Sequence, residues 1–540
     1  MKSNFTGTGS FSLKVSLVLV LSIACLLLLR PLIATKGKDK EQPKQADASK
    51  KSISADSTDL ASRIDKAIEE SDGVARWGIS VISMADGSNV YERDGDKLFT
   101  PASNMKIFTT GIALDLLGVD YRWRTSVYAN SQPDASGRIN GDLILYGRGA
   151  PDLVSSSKDE NRGSLAKLAD DLYARGVRRI SGNVIGDESY FRGNALGDGW
   201  QWTDLQWYFG AEASALSING NEVDMNFVPA GRAGESTVRT SDTEGYVTVQ
   251  NRMSVTADSS VQPTIGVHRG LSDNNIEVWG EFTPGSKGFG ARLSVHKPAL
   301  WAAKLFGRAL KTRGIQVDGQ TLSRDSLVPQ SQRFDPSLSV ELAFVQSEPM
   351  GEIAKKTNKE SNNLFAELIL RTLGRERGEM SPSPKGMGRE RGDDESGLAV
   401  IRLWLERAGI STTHLAFHDG SGLSRLDLVT PETSARFLLY LSKTNVGPTF
   451  RESLPIAGSD GTLSGRLKTV TDRVSAKTGS LTYDNSLSGY VMTSKGQPFA
   501  FSIMCNDQTR AANSIRLIDQ IVTLIAAYPD PPAEKSQKSE

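Results

Sequence analysis

The sequence predicts an α+β fold in which a domain of helices and an antiparallel sheet is interrupted by a β-rich insert. Three observations carry this expectation. Helical periodicity dominates before about residue 121 and returns at residue 298. Three strand-like runs, "VSAKTGSL", "SLSGYVMTS" and "FAFSIMCN", follow one another near the C-terminus, close enough to pair as antiparallel neighbours. Between residues 122 and 297, short alternating runs such as "WRTSVYA", "GDLILYG" and "YVTVQNRMSVTAD" are separated by Gly, Asn, Asp and Ser. That is the texture of small β modules. The 540 residues exceed one ordinary domain.

The chain opens on a targeting segment, residues 1–34. Lys2 and Lys14 precede the uncharged run from Val15 to Leu29, which Arg30 and Pro31 close. As a helix this run spans only about 22 Å, short of a bilayer core of about 30 Å. An export signal fits that length, although no small-x-small cleavage site follows. An uncleaved membrane anchor extending to Ala34 is the alternative, and a lipoprotein signal at Cys25 is the weakest of the three. All three put the body of the protein outside the cytoplasm, in the periplasm or an equivalent space. Residues 35–58 are charged, polar and poor in large apolar groups, a composition unable to bury a core and therefore read as a disordered linker.

Residues 59–121 form the first part of the main domain: a helix at "DLASRIDKAIEESDG", a hairpin turning at "ADGS", and a helix opening near Ser103. Residues 122–297 are the insert, with one helix at "SLAKLADDLYARG". Residues 298–528 resume the main domain. "PALWAAKLFGRALKTRG" is helical, and "LAFVQSEPMGEIAKKTNKESNNLFAELILRTLG" is read as two helices joined near 359–363. A charged loop rich in Pro and Gly occupies 374–397, followed by helices at "GLAVIRLWLERAG" and "TSARFLLYLSK", the three strands, and a last helix at "SIRLIDQIVTLIAAY". Residues 529–540 are a polar tail.

Composition excludes several functions. The 63 basic and 63 acidic residues cancel, leaving no field to attract nucleic acid. Two cysteines, Cys25 and Cys505, give no disulfide framework. Four histidines offer only one His-x-x-x-His pair, His414 and His418, in a stretch that does not look helical, so no metal site is expected.

Three short motifs carry the chemistry. "TPASNMKIFTTG" places Ser103 three residues before Lys106, "KESNNLF" holds Ser361 and Asn363, and "VSAKTGSL" holds Lys477, Thr478, Gly479 and Ser480. Singly each is unremarked: Ser103 and Ser361 are favoured helix caps, and Lys106 suits any exposed face. In this order and on these elements they match the Ser-x-x-Lys, Ser-x-Asn and Lys-Thr-Gly set of penicillin-binding proteins and class A β-lactamases. Helical spacing puts Lys106 on the same face as the Ser103 hydroxyl. To take its proton the amine must be neutral, a shift of about three pKa units costing about 4 kcal/mol, which burial and a second cation at Lys477 would supply. Ser361 would relay a proton to the leaving amine and Asn363 would bond a substrate amide. Lys477 and Thr478 would bind a carboxylate, and Gly479 would let a substrate strand approach the sheet edge. The N–H groups of Ser103 and Ser480 would receive the oxyanion. No Gly-x-Ser-x-Gly elbow occurs in the sequence.

With these motifs, the chain resembles the class C low-molecular-mass penicillin-binding proteins, the D-Ala-D-Ala carboxypeptidase/endopeptidase family, from about residue 60 to 528. Further blocks carry the likeness: "GDLILYGRGAPDL", "FGAEASALSINGNEV", "HDGSGLSRLDLVTP" and "LPIAGSDGTLSGRL". The resemblance implies a β-lactamase/transpeptidase-like domain with accessory modules inserted between its first two motifs. It implies cleavage of D-Ala-D-Ala bonds or D-configured cross-links in peptidoglycan peptides through an acyl-enzyme on Ser103. It also implies acylation by β-lactam antibiotics and no cofactor. Asn362 stands where the family often has Asp, and Ala150 where Asp is frequent; neither bears a catalytic role. Asp419, Ser421 and Ser424 belong to a recurrent block expected to shape the site. A β-lactamase-like hydrolase and a non-catalytic wall-binding scaffold are the alternatives; the first needs a deacylation device that no motif provides, the second is opposed by the intact motif set.

Overall fold

The computed structural model describes residues 55–529 except 72, 156–162, 230–235, 284 and 379–390. The expected targeting segment, the linker up to residue 54, the centre of the 374–397 loop and the tail beyond 529 lie outside the described residues. The last four linker positions already belong to a helix, Ala55–Glu69.

A five-stranded antiparallel sheet organises the main domain, in the order Val474–Leu481, Asp484–Met492, Pro498–Asn506, Arg76–Ser83 and Asn89–Arg93. The expected hairpin and the three C-terminal strands are its members. Alternation in "FAFSIMCN" decides which face each residue serves. Phe499, Phe501, Ile503 and Cys505 join the core formed with the N- and C-terminal helices, Ala55–Glu69 and Ala511–Ala527. Ala500 and Met504 point the other way, into a core with Met105–Leu117, Pro431–Leu441 and their neighbours. Residues Met105 to Leu114 are buried without a break. A helix apolar on every side sits in the interior, so the polar residues it carries go inside with it.

The insert is larger than the sequence suggests. Its main sheet runs Thr321–Arg324, Val184–Asp187, Leu143–Tyr146, Arg124–Ala129 and Val340–Gln346. Helices Ser164–Ala174 and Pro298–Thr312 pack on it and share its apolar core through Leu165, Leu168, Trp301 and Phe306. Three three-stranded sheets complete the insert among the described residues. The boundary at 297 is therefore corrected to about 346, because Val340–Gln346 closes the insert by pairing antiparallel with Arg124–Ala129. The stretch "LAFVQ", expected to be helical, is part of that strand. Helix Met350–Lys359 then resumes the main domain.

Helices Asn363–Arg377 and Asp393–Arg407 touch backbone to backbone at glycines. A Cβ at Gly374 would overlap the carbonyl of Asp393, and one at Gly397 that of Leu370. Overpacking of this kind costs about 1–3 kcal/mol. Gly374→Ala is expected to lower the urea midpoint by a stability loss in that range, whereas Gly465→Ala, with open space around it, should leave the midpoint unmoved.

Candidate active site

The turn that carries Ser103 comes first. Ala102–Asn104 form one 3-10 turn leading into helix Met105–Leu117. Ser103 caps neither element, since no side-chain cap bond occurs at either start. Instead Lys106 Nζ lies 3.0 Å from Ser103 Oγ. Ala102 sits at φ +49, a left-handed conformation uncommon for a residue with a side chain. Two glycines grip this turn. A Cβ at Gly422 would overlap the Ala102 carbonyl, and one at Gly479 would overlap Ser486 Oγ and lie 2.7 Å from Pro101 O and 3.1 Å from Ser103 N. The bare face of Gly479 is thus turned to the Ser103 turn and is not left open for a substrate strand, as the sequence had suggested.

Lys106 is fully buried. Its amine also reaches Asn363 Oδ1 at 2.6 Å and the Ser421 carbonyl at 2.7 Å. Both of these partners are acceptors only. A neutral amine has two N–H donors and one lone pair, so with both donors spent the lone pair is left for the Ser103 hydroxyl. Burial lowers the Lys106 pKa to about 7, against the opposing pull of Asp419, Glu367 and Asp427. The expected second cation is itself driven towards its neutral form. Burial first, and then repulsion from Lys106, holds Lys477 well below the usual lysine range.

The second motif sits at the break between helices Met350–Lys359 and Asn363–Arg377. Ser361 adopts φ +59 and accepts a bond from Lys477 Nζ at 2.9 Å. The helix cap is Asn362, whose side chain accepts from Phe365 N at 3.0 Å, so the capping role open to Ser361 falls to its neighbour. Asn363 gives its oxygen to Lys106 and one N–H to the Phe209 carbonyl at 2.9 Å. Only its second N–H is left for a substrate amide.

These groups border a cleft of about 670 Å³ lined by Ser103, Ser361, Asn363, Thr478 and Ser480. Lys477 lies beneath it, bonded to Ser361 Oγ and to its neighbour's carbonyl at Thr478. The insert supplies the facing wall with Asp204, Tyr208, Phe209 and Arg292. None of these was singled out from the sequence, although the crowding of aromatics in "WQWTDLQWYFG" was a visible signal.

Behind Lys106, Asp419 organises the loop that carries Ser421. Its carboxylate accepts from Gly422 N at 2.6 Å, Ser424 N at 2.8 Å, Ser421 Oγ at 3.0 Å and, from the insert, Trp200 Nε1 at 2.8 Å. His418, the second member of the sequence's histidine pair, meets Asp198 Oδ2 at 2.9 Å.

The sequence profile of the D-Ala-D-Ala carboxypeptidase 3 (S13) family matches residues 60–528. The chain belongs to that family. It is a serine-type DD-peptidase with a transpeptidase-like fold. The D-alanyl-D-alanine carboxypeptidase of Actinomadura sp. is 32% identical over 501 residues, 90% of this chain and 87% of that one. D-alanyl-D-alanine carboxypeptidase DacB of Haemophilus influenzae is 29% identical over 421 residues, 76% of this chain and 81% of that one. The crystal structure of penicillin-binding protein 4 from Haemophilus influenzae superposes with a TM-score of 0.73 at 25% identity, covering 86% of this chain and 99% of that one.

Removing the Asp419 carboxylate leaves four donors, three of them buried, without their acceptor. Asp419→Ala is therefore expected to cost roughly 3 kcal/mol or more of stability. It should also slow acylation by a β-lactam, because the Ser421 carbonyl loses its anchor. Denaturant unfolding and a stopped-flow acylation assay measure the two effects separately.

Proposed function

We propose that Ser103 is the nucleophile and Lys106 its general base in the cleavage of D-Ala-D-Ala peptides from peptidoglycan. The observation that carries the reading is the buried Lys106 amine, whose two acceptor-only partners leave its lone pair for the Ser103 hydroxyl. A serine hydroxyl attacks a carbonyl only when a neighbouring base takes its proton. Lys106 accepts that proton as Oγ bonds to the carbonyl carbon of the penultimate residue. The N–H groups of Ser103 and Ser480 stabilise the oxyanion. As the intermediate collapses, the C–N bond breaks and the departing amine takes a proton from Lys106 through Ser361. Water, activated by the same amine, then cleaves the ester and frees Ser103.

Thr478 and Ser480 receive the terminal carboxylate, with Lys477 acting from below through Ser361. An arriving carboxylate favours the ammonium form of Lys477, so substrate brings that cation into play. β-Lactams enter by the same acylation. The peptidoglycan substrate places the reaction outside the cytoplasm, in accord with the targeting segment expected at the N-terminus. Release of D-Ala from a pentapeptide, compared with cleavage of cross-linked dimers, separates carboxypeptidase from endopeptidase action.

A fluorescent penicillin is expected to label the protein covalently at Ser103, with the site mapped by mass spectrometry, and Ser103→Ala should abolish labelling. Labelling that persists in this variant assigns the nucleophile elsewhere. The pH dependence has a definite sign. The amine, with its pKa lowered to about 7, holds a proton below that value and has no lone pair to offer. The acylation rate should rise through about pH 7 and fall steadily as the pH drops below it.

A further inference from the structure

Helix Asn363–Arg377 carries a polar stripe that the reaction described above does not use. Asn363, Glu367 and Arg371 recur every four residues and share one face of the helix. Glu367 is fully buried and Arg371 nearly so. One carboxylate oxygen of Glu367 accepts from Gly420 N at 2.9 Å, and the other is buried with no hydrogen-bond partner. Gly420 in turn accepts from Thr109 Oγ1 at 2.7 Å, on the helix of Lys106. The next residue, Ser421, holds the Lys106 amine through its carbonyl.

We propose that Glu367 is a positioning residue for acylation, a second buried proton site whose charge decides how readily Lys106 gives up its own proton. The proposal rests on Lys106 being the base. A bare carboxylate oxygen in the interior is costly, whereas the protonated acid is neutral and loses far less on burial. Arg371, one turn further along the same helix, does not close an ion pair onto Glu367; it bonds the Asn194 carbonyl and faces Asp394. From the 419–427 loop, Asp419 and Asp427 face the same space; Asp427 is also fully buried, with one oxygen lacking a partner. Lys106 faces it from helix Met105–Leu117, and Lys477 stands next to Lys106 on the edge strand.

Burial, and then repulsion from Asp419, lifts Glu367 to about 7, level with Lys106. When Glu367 ionises, its charge favours a proton on Lys106; when it is protonated, that pull disappears. Two groups titrating together do so as a pair. The acid limb of acylation therefore belongs to both, and is broader than one group would give.

Glu367→Gln keeps an oxygen for Gly420 N and removes the charge. The acid limb of β-lactam acylation is expected to move down by about one pH unit and to sharpen to a single ionisation, with a several-fold faster rate than wild type near pH 6. A merely structural anchor at Gly420 predicts a Glu367→Gln profile superposable on wild type, and that result overturns the proposal. If wild type itself is not acylated, the Proposed function fails instead, so the two outcomes are distinct. The wild-type protein gives a check that needs no folded variant. Infrared titration should show protonated buried carboxyl bands that bleach as pH rises through about 7, from Glu188 as well as Glu367, and absence of any such band at pH 6 also rejects the proposal.

Discussion

One amine without water sets the terms for the rest of this molecule. Lys106 enters the interior because its helix is buried on every side, away from water. Burial of an ammonium group is among the least favourable things a fold can do, and the protein answers by lowering the affinity of the amine for its proton. The three nearby acids work in the opposite direction. Desolvation wins by enough to bring the group to neutrality near physiological pH, the range in which a general base combines availability with strength.

Holding such an amine requires partners that fix its direction, and the insert supplies part of the support. Phe209 O holds the Asn363 carboxamide, and Trp200 Nε1 holds Asp419. Asn363 and the Asp419-anchored Ser421 carbonyl are the two acceptors on Lys106. Each contact between the amine and its acceptors is thus backed, one step further out, by a bond from the insert. A module that looks like an appendage in the sequence supports the Lys106 amine and forms the far wall of the cleft.

The three motifs were legible because each is local. Spacing of three on a helix and alternation on a strand fix which side chains share a face, wherever the rest of the chain goes. The C-terminal sheet was legible for the same reason. The end of the insert was not, because an amphipathic helix such as Pro298–Thr312 shows its apolar stripe without saying which core receives it. Strand Val340–Gln346 is named by its partner, 124–129, more than two hundred residues away, and its own pattern is weak. Ser361 and Asn362 are both good caps, and only the left-handed turn at Ser361 hands the role to its neighbour.

The position of Ser103 follows from close packing on both sides of residues 101–103. Gly422 presses on the Ala102 carbonyl, Gly479 on Pro101 and Ser103, and Ser486 Oγ donates to the Pro101 carbonyl at 2.6 Å. Asn506 pins Thr100 through both its N–H and its carbonyl. A left-handed alanine costs of order 1 kcal/mol and persists only where its surroundings over-determine it; here two glycines and two side chains do so. Ser103 is consequently aimed before any ligand arrives, with its N–H beside the edge strand and its hydroxyl on the amine. Binding energy from a substrate is then free to act on the carbonyl itself and is not spent on assembling the turn.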